Sequence, residues 1–318
     1  MNKFTITVIG AGLIGTSMGL ALKRAKEPPR LLIHDKEFEL SKAAVSQGAF
    51  DKAEWNLINA CDQADLIILA IPLAGVYPTL KAIAPDLKPG VIISDTTPNK
   101  VVVLAYAQEL LPAHAHFIGG NPIVHLAGQG QPCASADIFK NQLYCLTPSP
   151  TANEEAVQSL VGFINVLGGT PFFMEATEHD GLVTAVEQLP ALLSMALLNT
   201  LTTQPSWREL RKMAGGLFEQ VSAGATGTPE TWQESCQANP DLLIHWLDKY
   251  MAQLSHLRAL LKNGAQAKEA LLQQFDQAIV ARHNWQVDCQ KSRFISAELL
   301  DPPVEVAGFM KRWLGVGR

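Results

Sequence analysis

Residues 4–9 are a short apolar, β-rich run that ends in glycines, and the apolar positions behind them are spaced through residue 23 as on one face of a helix. Residues 31–33 are the next apolar run, closed by His34 and Asp35. Residues 66–71 and 91–93 read as buried strands, and 117–118 and 143–146 as further ones, with helical stretches between them. Strands alternating with helices predict an open α/β sheet. The pattern changes near Thr147-Pro148-Ser149-Pro150, and after one more helix and a short strand around 170–173 the periodicity is helical to the end. The predicted division is an α/β domain over residues 1–174 and an all-α domain over 175–318. Residues 179–201 are apolar on nearly every face, which predicts a helix buried on all sides by its own domain or by a second subunit. A homodimer is therefore expected. Residues 242–261 and 271–281 read as amphipathic helices, and the tail after Asp301, with Trp313, is expected to pack.

Composition supports two cores. Of 318 residues 47% are hydrophobic and 17% charged, against about 25% charged in average soluble domains, which excludes disorder for the bulk of the chain. Pro72 interrupts residues 66–77, and Ser194 and Asn199 interrupt residues 189–201, so no run is expected to reach the roughly 18–20 residues of a membrane span. The first residues lack the pattern of a secretory signal, and a cytoplasmic protein is expected. Five widely spaced cysteines, without a Cys-x-x-Cys pair, predict reduced, mostly buried thiols and no metal. The net charge of −5 falls entirely in the second half, which makes nucleic acid an unsuitable partner. Apart from histidine, residues 101–207 hold one cation, Lys140, and residues 213–248 hold none.

The first glycines form Gly10-Ala11-Gly12-Leu13-Ile14-Gly15, between a strand and a helix. Gly10 allows the tight turn, Gly12 lets backbone amides approach a pyrophosphate, and Gly15 lets the helix pack on the strand. Asp35, twenty residues beyond Gly15, is placed to accept hydrogen bonds from a ribose diol. The expected fold is a Rossmann domain and the expected cofactor NAD, with NADP possible because Lys36 adjoins Asp35. In such sheets ligands bind at the carboxyl ends of the strands. Ala70, Ile71, Pro72 and Asp95 are thus expected at the cofactor together with Leu13 and Ile14, and Gly119-Gly120-Asn121-Pro122 is expected near the reaction.

These residues resemble the prephenate and arogenate dehydrogenase family over roughly residues 4–262. The resemblance rests on the glycine turn, Ala64-Asp65 leading into residues 66–72, Ser94-Asp95 with Lys100, Phe117-Ile118-Gly119-Gly120 with Pro122, Glu178-His179-Asp180, Leu189-Pro190 and Pro229-Glu230-Thr231-Trp232. It implies a Rossmann domain, a helical dimerisation domain, a substrate site between them and NAD(P)-dependent oxidative decarboxylation in tyrosine biosynthesis. That chemistry needs an acceptor for the hydroxyl proton, which a neutral imidazole provides, and a cation for the side-chain carboxylate.

At those positions the chain departs from the family. The family's His-Pro is Asn121-Pro122, the acidic residue six positions on is Ala127, a serine before Lys100 is Pro98, Ser-His-Leu-Pro-His is Glu187-Gln188-Leu189-Pro190-Ala191, and Gly-Phe-Arg-Asp is Leu217-Phe218-Glu219-Gln220. The catalytic candidates are therefore Asn121, His179, Lys100 and His125, and the substrate-binding candidates Asn121, Gln188, Arg208 and Arg211. His125 either turns toward Asn121 or is an ordinary loop histidine. Lys100 either faces the cleft or is solvated. The leading expectation is a dehydrogenase of the prephenate/arogenate type with an altered substrate site. A β-hydroxyacid-type dehydrogenase assisted by Lys100, and a non-catalytic NAD-binding sensor, are the alternatives.

Overall fold

The computed structural model describes residues 3–125 and 133–290, so that Ala127 and the tail with Trp313 lie outside the described residues. The chain divides into two compact units between His179 and Asp180.

The first unit holds eight strands: β1 (Thr5–Ile9), β2 (Arg30–His34), β3 (Lys52–Ala53), β4 (Leu66–Leu69), β5 (Ile92–Asp95), β6 (His116–Pro122), β7 (Leu143–Pro148) and β8 (Thr170–Phe173). They form one sheet in the order β3-β2-β1-β4-β5-β6-β7-β8, in which β6 and β7 pair antiparallel and every other pair is parallel. Helices α1 (Leu13–Lys23), α2 (Phe38–Ser46), α3 (Leu57–Cys61), α4 (Leu73–Ile83), α5 (Lys100–Leu110) and α6 (Glu154–Leu167) make the connections. Every residue of β1, β4 and β5 is buried, as expected where helices cover both faces of a parallel sheet. The core runs through Ile6, Val8, Met18, Leu31, Ile33, Leu66 and Ile68. Periodicity predicts all these strands except β3, whose two residues, Lys52 and Ala53, are too few and too polar to carry a signal.

Register sets the ligand edge. Ile9 of β1 pairs with His34 of β2 and with Leu69 of β4. The next residue on each strand is Gly10, Asp35 or Ala70, so three expected cofactor residues leave the sheet side by side.

The second unit is helical. A continuous 27-residue helix, Ala176–Thr202, contains α7 (Ala176–Val183), a π-helical turn at Thr184–Gln188 and α8 (Leu189–Thr202). It is long and apolar enough to cross a membrane, which corrects the expectation that no run is: the helix passes through Ser194 and Asn199 and starts well before residue 189. Its own domain does not bury it on all sides. Its buried stripe includes Asp180, Thr184, Gln188 and Ser194, whereas Leu182 and Val186 are 52% and 70% exposed. The polar stripe is tied down by hydrogen bonds to the helices α10 (Gly216–Ser222), α11 (Pro229–Ala238) and α12 (Pro240–Lys262) and their ends. Asn239 Nδ2 donates to Asp180 Oδ2 at 3.0 Å, Gln188 Nε2 to Ser235 Oγ at 3.2 Å, and Ser194 Oγ to the Val221 carbonyl at 2.6 Å. The short α9 is Trp207–Leu210, and α13 is Lys268–Gln290, longer at both ends than predicted. Ile244, Met251, Leu254, Leu272, Phe275 and Ile279 of α12 and α13 are exposed. Two of the five thiols, Cys61 and Cys145, are buried, and Cys133 is exposed.

Candidate active site

Steric necessity explains the first loop. Gly10 has φ +107°, and a Cβ there would stand 2.2 Å from the Ala70 carbonyl oxygen, while one at Gly15 would stand 2.0 Å from the Gly10 carbonyl oxygen. No atom lies within 4 Å of a Cβ built at Gly12, so that face of the loop is open. Gly12 is also the N-cap of α1 and offers the first-turn amides no side-chain acceptor, leaving a helix N-terminus suited to an anion. The Ala11 amide donates to Asp35 Oδ2 at 2.7 Å and the Glu37 amide to Asp35 Oδ1 at 2.8 Å. A carboxylate oxygen accepts two hydrogen bonds, so each keeps capacity for a ribose hydroxyl. An open glycine loop, an uncapped helix start and a half-used carboxylate fit a dinucleotide, with pyrophosphate at Gly12 and ribose at Asp35.

The ends of β5 and β6 are built differently. Asp95 and Lys100 are both fully buried and form an ion pair. Lys100 Nζ also donates to the Gly120 carbonyl at 2.6 Å, and Asp95 Oδ1 accepts from the Gly120 amide at 3.1 Å. Asp95 Oδ2 accepts in addition from the Thr97 amide at 2.9 Å and its hydroxyl at 2.6 Å. This corrects two expectations. The Asp95 carboxylate is spent inside the fold rather than on the cofactor, and Lys100 is neither solvated nor a free ammonium facing the cleft. The pair is a strut that grips both backbone groups of Gly120, next to Asn121.

Asn121 is 4% exposed and His179 fully buried. Asn121 Nδ2 and His179 Nε2 are 3.1 Å apart. An amide nitrogen donates, so in this contact His179 Nε2 is on the accepting side. Antiparallel pairing with β7 sets Asn121 opposite Cys145, and α7 carries His179 to it across 58 residues of sequence.

A model of the prephenate dehydrogenase nucleotide-binding domain matches residues 18–171, and one of the prephenate dehydrogenase dimerization domain matches residues 175–277. The chain belongs to the prephenate dehydrogenase family. It is 27% identical to prephenate dehydrogenase of Bacillus subtilis over 265 residues, covering 82% of this chain and 71% of the relative. It is also 27% identical to cyclohexadienyl dehydrogenase of Zymomonas mobilis over 279 residues, covering 87% and 94%. Among solved structures, prephenate dehydrogenase of A. aeolicus in complex with hydroxyphenyl propionate and NAD+ superposes with a TM-score of 0.79 at 21% identity, over 89% of this chain and 99% of the other. The arogenate dehydrogenase of Synechocystis superposes with a TM-score of 0.65 at 26% identity, over 92% and 100%. The chain is thus an NAD-dependent oxidoreductase of the prephenate/arogenate dehydrogenase type, with the Rossmann fold and helical domain of that family.

Of the remaining candidates in this family member, none is brought to Asn121 by a described contact. His125 is exposed, and its Nδ1 lies 2.7 Å from Gln142 Oε1. Gln188 is spent within the second unit, on Ser235 and on the Thr184 hydroxyl. Arg208 and Arg211 are exposed at α9, with Arg208 4.0 Å from the Glu209 carboxylate. Ala70 and Ile71 are half-buried and Pro72 exposed beside the glycine loop. What sequence reading missed is the pairing itself. Asp95 with Lys100, and Asn121 with His179, are visible only once strand order is known.

Proposed function

We propose that this chain oxidises a ring alcohol of the prephenate or arogenate class, with the Asn121–His179 pair at the place where the family has a histidine on the strand. The observation that carries the reading is the 3.1 Å contact between these two buried side chains at the carboxyl end of β6. An amide alone is no base at neutral pH. An imidazole within its reach restores one: a ring hydroxyl that displaces the amide from His179 Nε2 gives its proton to that nitrogen and takes a hydrogen bond from Asn121 Nδ2. Gly10, Gly12, Gly15 and Asp35 would hold NAD, which would supply the hydride acceptor. As the proton leaves, hydride departs from the carbon bearing the hydroxyl, and the ring carboxylate is lost as carbon dioxide while the ring becomes aromatic. The scarcity of cations between residues 213 and 248 favours a substrate with less negative charge than prephenate, which points to the amino-acid form.

The chain acts as a cytoplasmic homodimer in this reading. The exposed apolar residues of the 27-residue helix, α12 and α13 are those a second subunit covers, and the match to a dimerization domain supports a protein interface there rather than a membrane. The test is cofactor reduction by purified protein with prephenate, arogenate and a panel of hydroxy acids. Turnover of arogenate over prephenate, lost in His179→Ala with NAD affinity retained, is the expected result. Unchanged turnover in that variant refutes the proton acceptor, and NAD binding without turnover on any substrate refutes the enzyme reading.

A further inference from the structure

The parallel register of β2 and β3 pairs Leu32 with Lys52 and Ile33 with Ala53. The ladder closes there: the Glu54 amide donates to the Ile33 carbonyl at 2.8 Å, and the His34 side chain holds the strand end with Nδ1 2.9 Å from the Glu54 carbonyl. The next position along is Asp35 on one side and Trp55 on the other. Strands in a sheet are about 4.8 Å apart, so Asp35 and Trp55, each two residues past the last pair, leave neighbouring strand ends at the same edge of the sheet. That tryptophan is 69% exposed, while Glu54 before it is buried and ion-paired to Lys52 at 2.6 Å. Asn56 after it caps α3 by accepting from the Asn59 amide at 3.0 Å. Trp55 therefore projects from a backbone pinned on both sides, a fixed platform rather than the tip of a loop.

We propose that the Trp55 indole is the stacking surface for the adenine ring of the dinucleotide. Adenine is bonded to the ribose whose diol Asp35 accepts, so a base attached there lies within a ring's width of the neighbouring strand end. A flat aromatic face on a pinned backbone pays little conformational entropy on stacking, and stacking of a base on an aromatic side chain is a large contribution where it occurs. The inference rests on NAD binding at the glycine loop and adds the residue that holds its adenine half.

The test is calorimetric binding of NAD, AMP and nicotinamide mononucleotide to the full chain and to Trp55→Ala and Trp55→Phe. Trp55→Ala should weaken NAD and AMP about ten-fold, leave nicotinamide mononucleotide unchanged, and be largely rescued in Trp55→Phe. Equal affinities for NAD in Trp55→Ala and the native chain overturn the proposal, as does an equal loss for all three ligands. A native chain that binds neither NAD nor AMP overturns the cofactor site itself, a failure distinct from that of Trp55.

Discussion

Replacing Lys100 by Met tests the strut beneath the candidate site. The substitution keeps the length of the side chain and removes one ammonium from a fully buried pair. Removing one partner of a buried ion pair costs about 3–5 kcal/mol, because the other charge stays behind uncompensated. Asp95 retains three donors, the Thr97 amide and hydroxyl and the Gly120 amide, which places the loss near the lower end, at about 3 kcal/mol. For a unit of this size that corresponds to a fall in Tm of about 6–12 °C. Asp95→Asn leaves the ammonium without its countercharge and should cost at least as much. The double variant carries neither charge, so it should be more stable than the sum of the single losses by up to about 3 kcal/mol. Urea unfolding followed by circular dichroism measures all four proteins. A Lys100→Met variant within about 1 kcal/mol of the native chain, or strictly additive losses in the double variant, would refute the claim that burial makes this pair interdependent.

Other predictions concern the cofactor loop, the reacting pair and pH. Asp35→Ala should weaken NAD relative to NADP in parallel titrations, and an unchanged ratio would mean that Asp35 does not touch the ribose. Gly15→Ala forces a methyl into the Gly10 carbonyl, 2.0 Å away, so dinucleotide binding should be lost while far-ultraviolet circular dichroism is retained. Asn121→His should raise the rate with prephenate more than that with arogenate if the amide is what distinguishes this site from its relatives, and steady-state kinetics decide it. Burial pushes the Cys61 thiol up to about 12, and the nearby Asp62 adds to the effect. Burial, with the Asp95 charge nearby, likewise raises the Tyr144 phenol. Both groups are protonated in the fold at pH values where the unfolded chain already ionises. Their contribution is complete below about pH 9 and is lost as pH rises toward 12, at about 1.4 kcal/mol per pH unit for each group in its window. Melting at pH 8 and pH 10.5 should show the decline, and no difference between them would refute it.

Much of the architecture was legible in the sequence. The glycine turn, its strand and its helix are set by contacts between near neighbours, as the lack of room for a Cβ at Gly15 beside the Gly10 carbonyl illustrates. The strand β4 announces itself as an unbroken apolar run, and β1 and β5 as largely apolar ones, because both their faces are covered. The helix Ala176–Thr202 was legible as a helix, but within one chain only part of its surface is buried. Its buried side mixes apolar Val183, Leu189 and Ala191 with hydrogen-bonded Asp180, Gln188 and Ser194. Hydrophobicity alone does not say which stripe an element turns inward when neighbouring helices offer polar partners.

What the sequence determined by itself is local: the dinucleotide turn, the alternation of strand and helix, the change to an all-helical second half, and the residues at which the family's polar site has been replaced. Tertiary structure decided which side chains those positions meet. Lys100 could be read as a surface or cleft lysine until β5 and β6 were seen to close around it. Asn121 read as the loss of a base until α7 was seen to carry His179 to within 3.1 Å of it. Trp55 gave no signal until the pairing of β3 with β2 put the strand end it follows next to the one that Asp35 follows. The physical reason is common to all three. Backbone sterics and side-chain periodicity act over a few residues, whereas these contacts join positions 5 to 58 residues apart and depend on the order and register of strands.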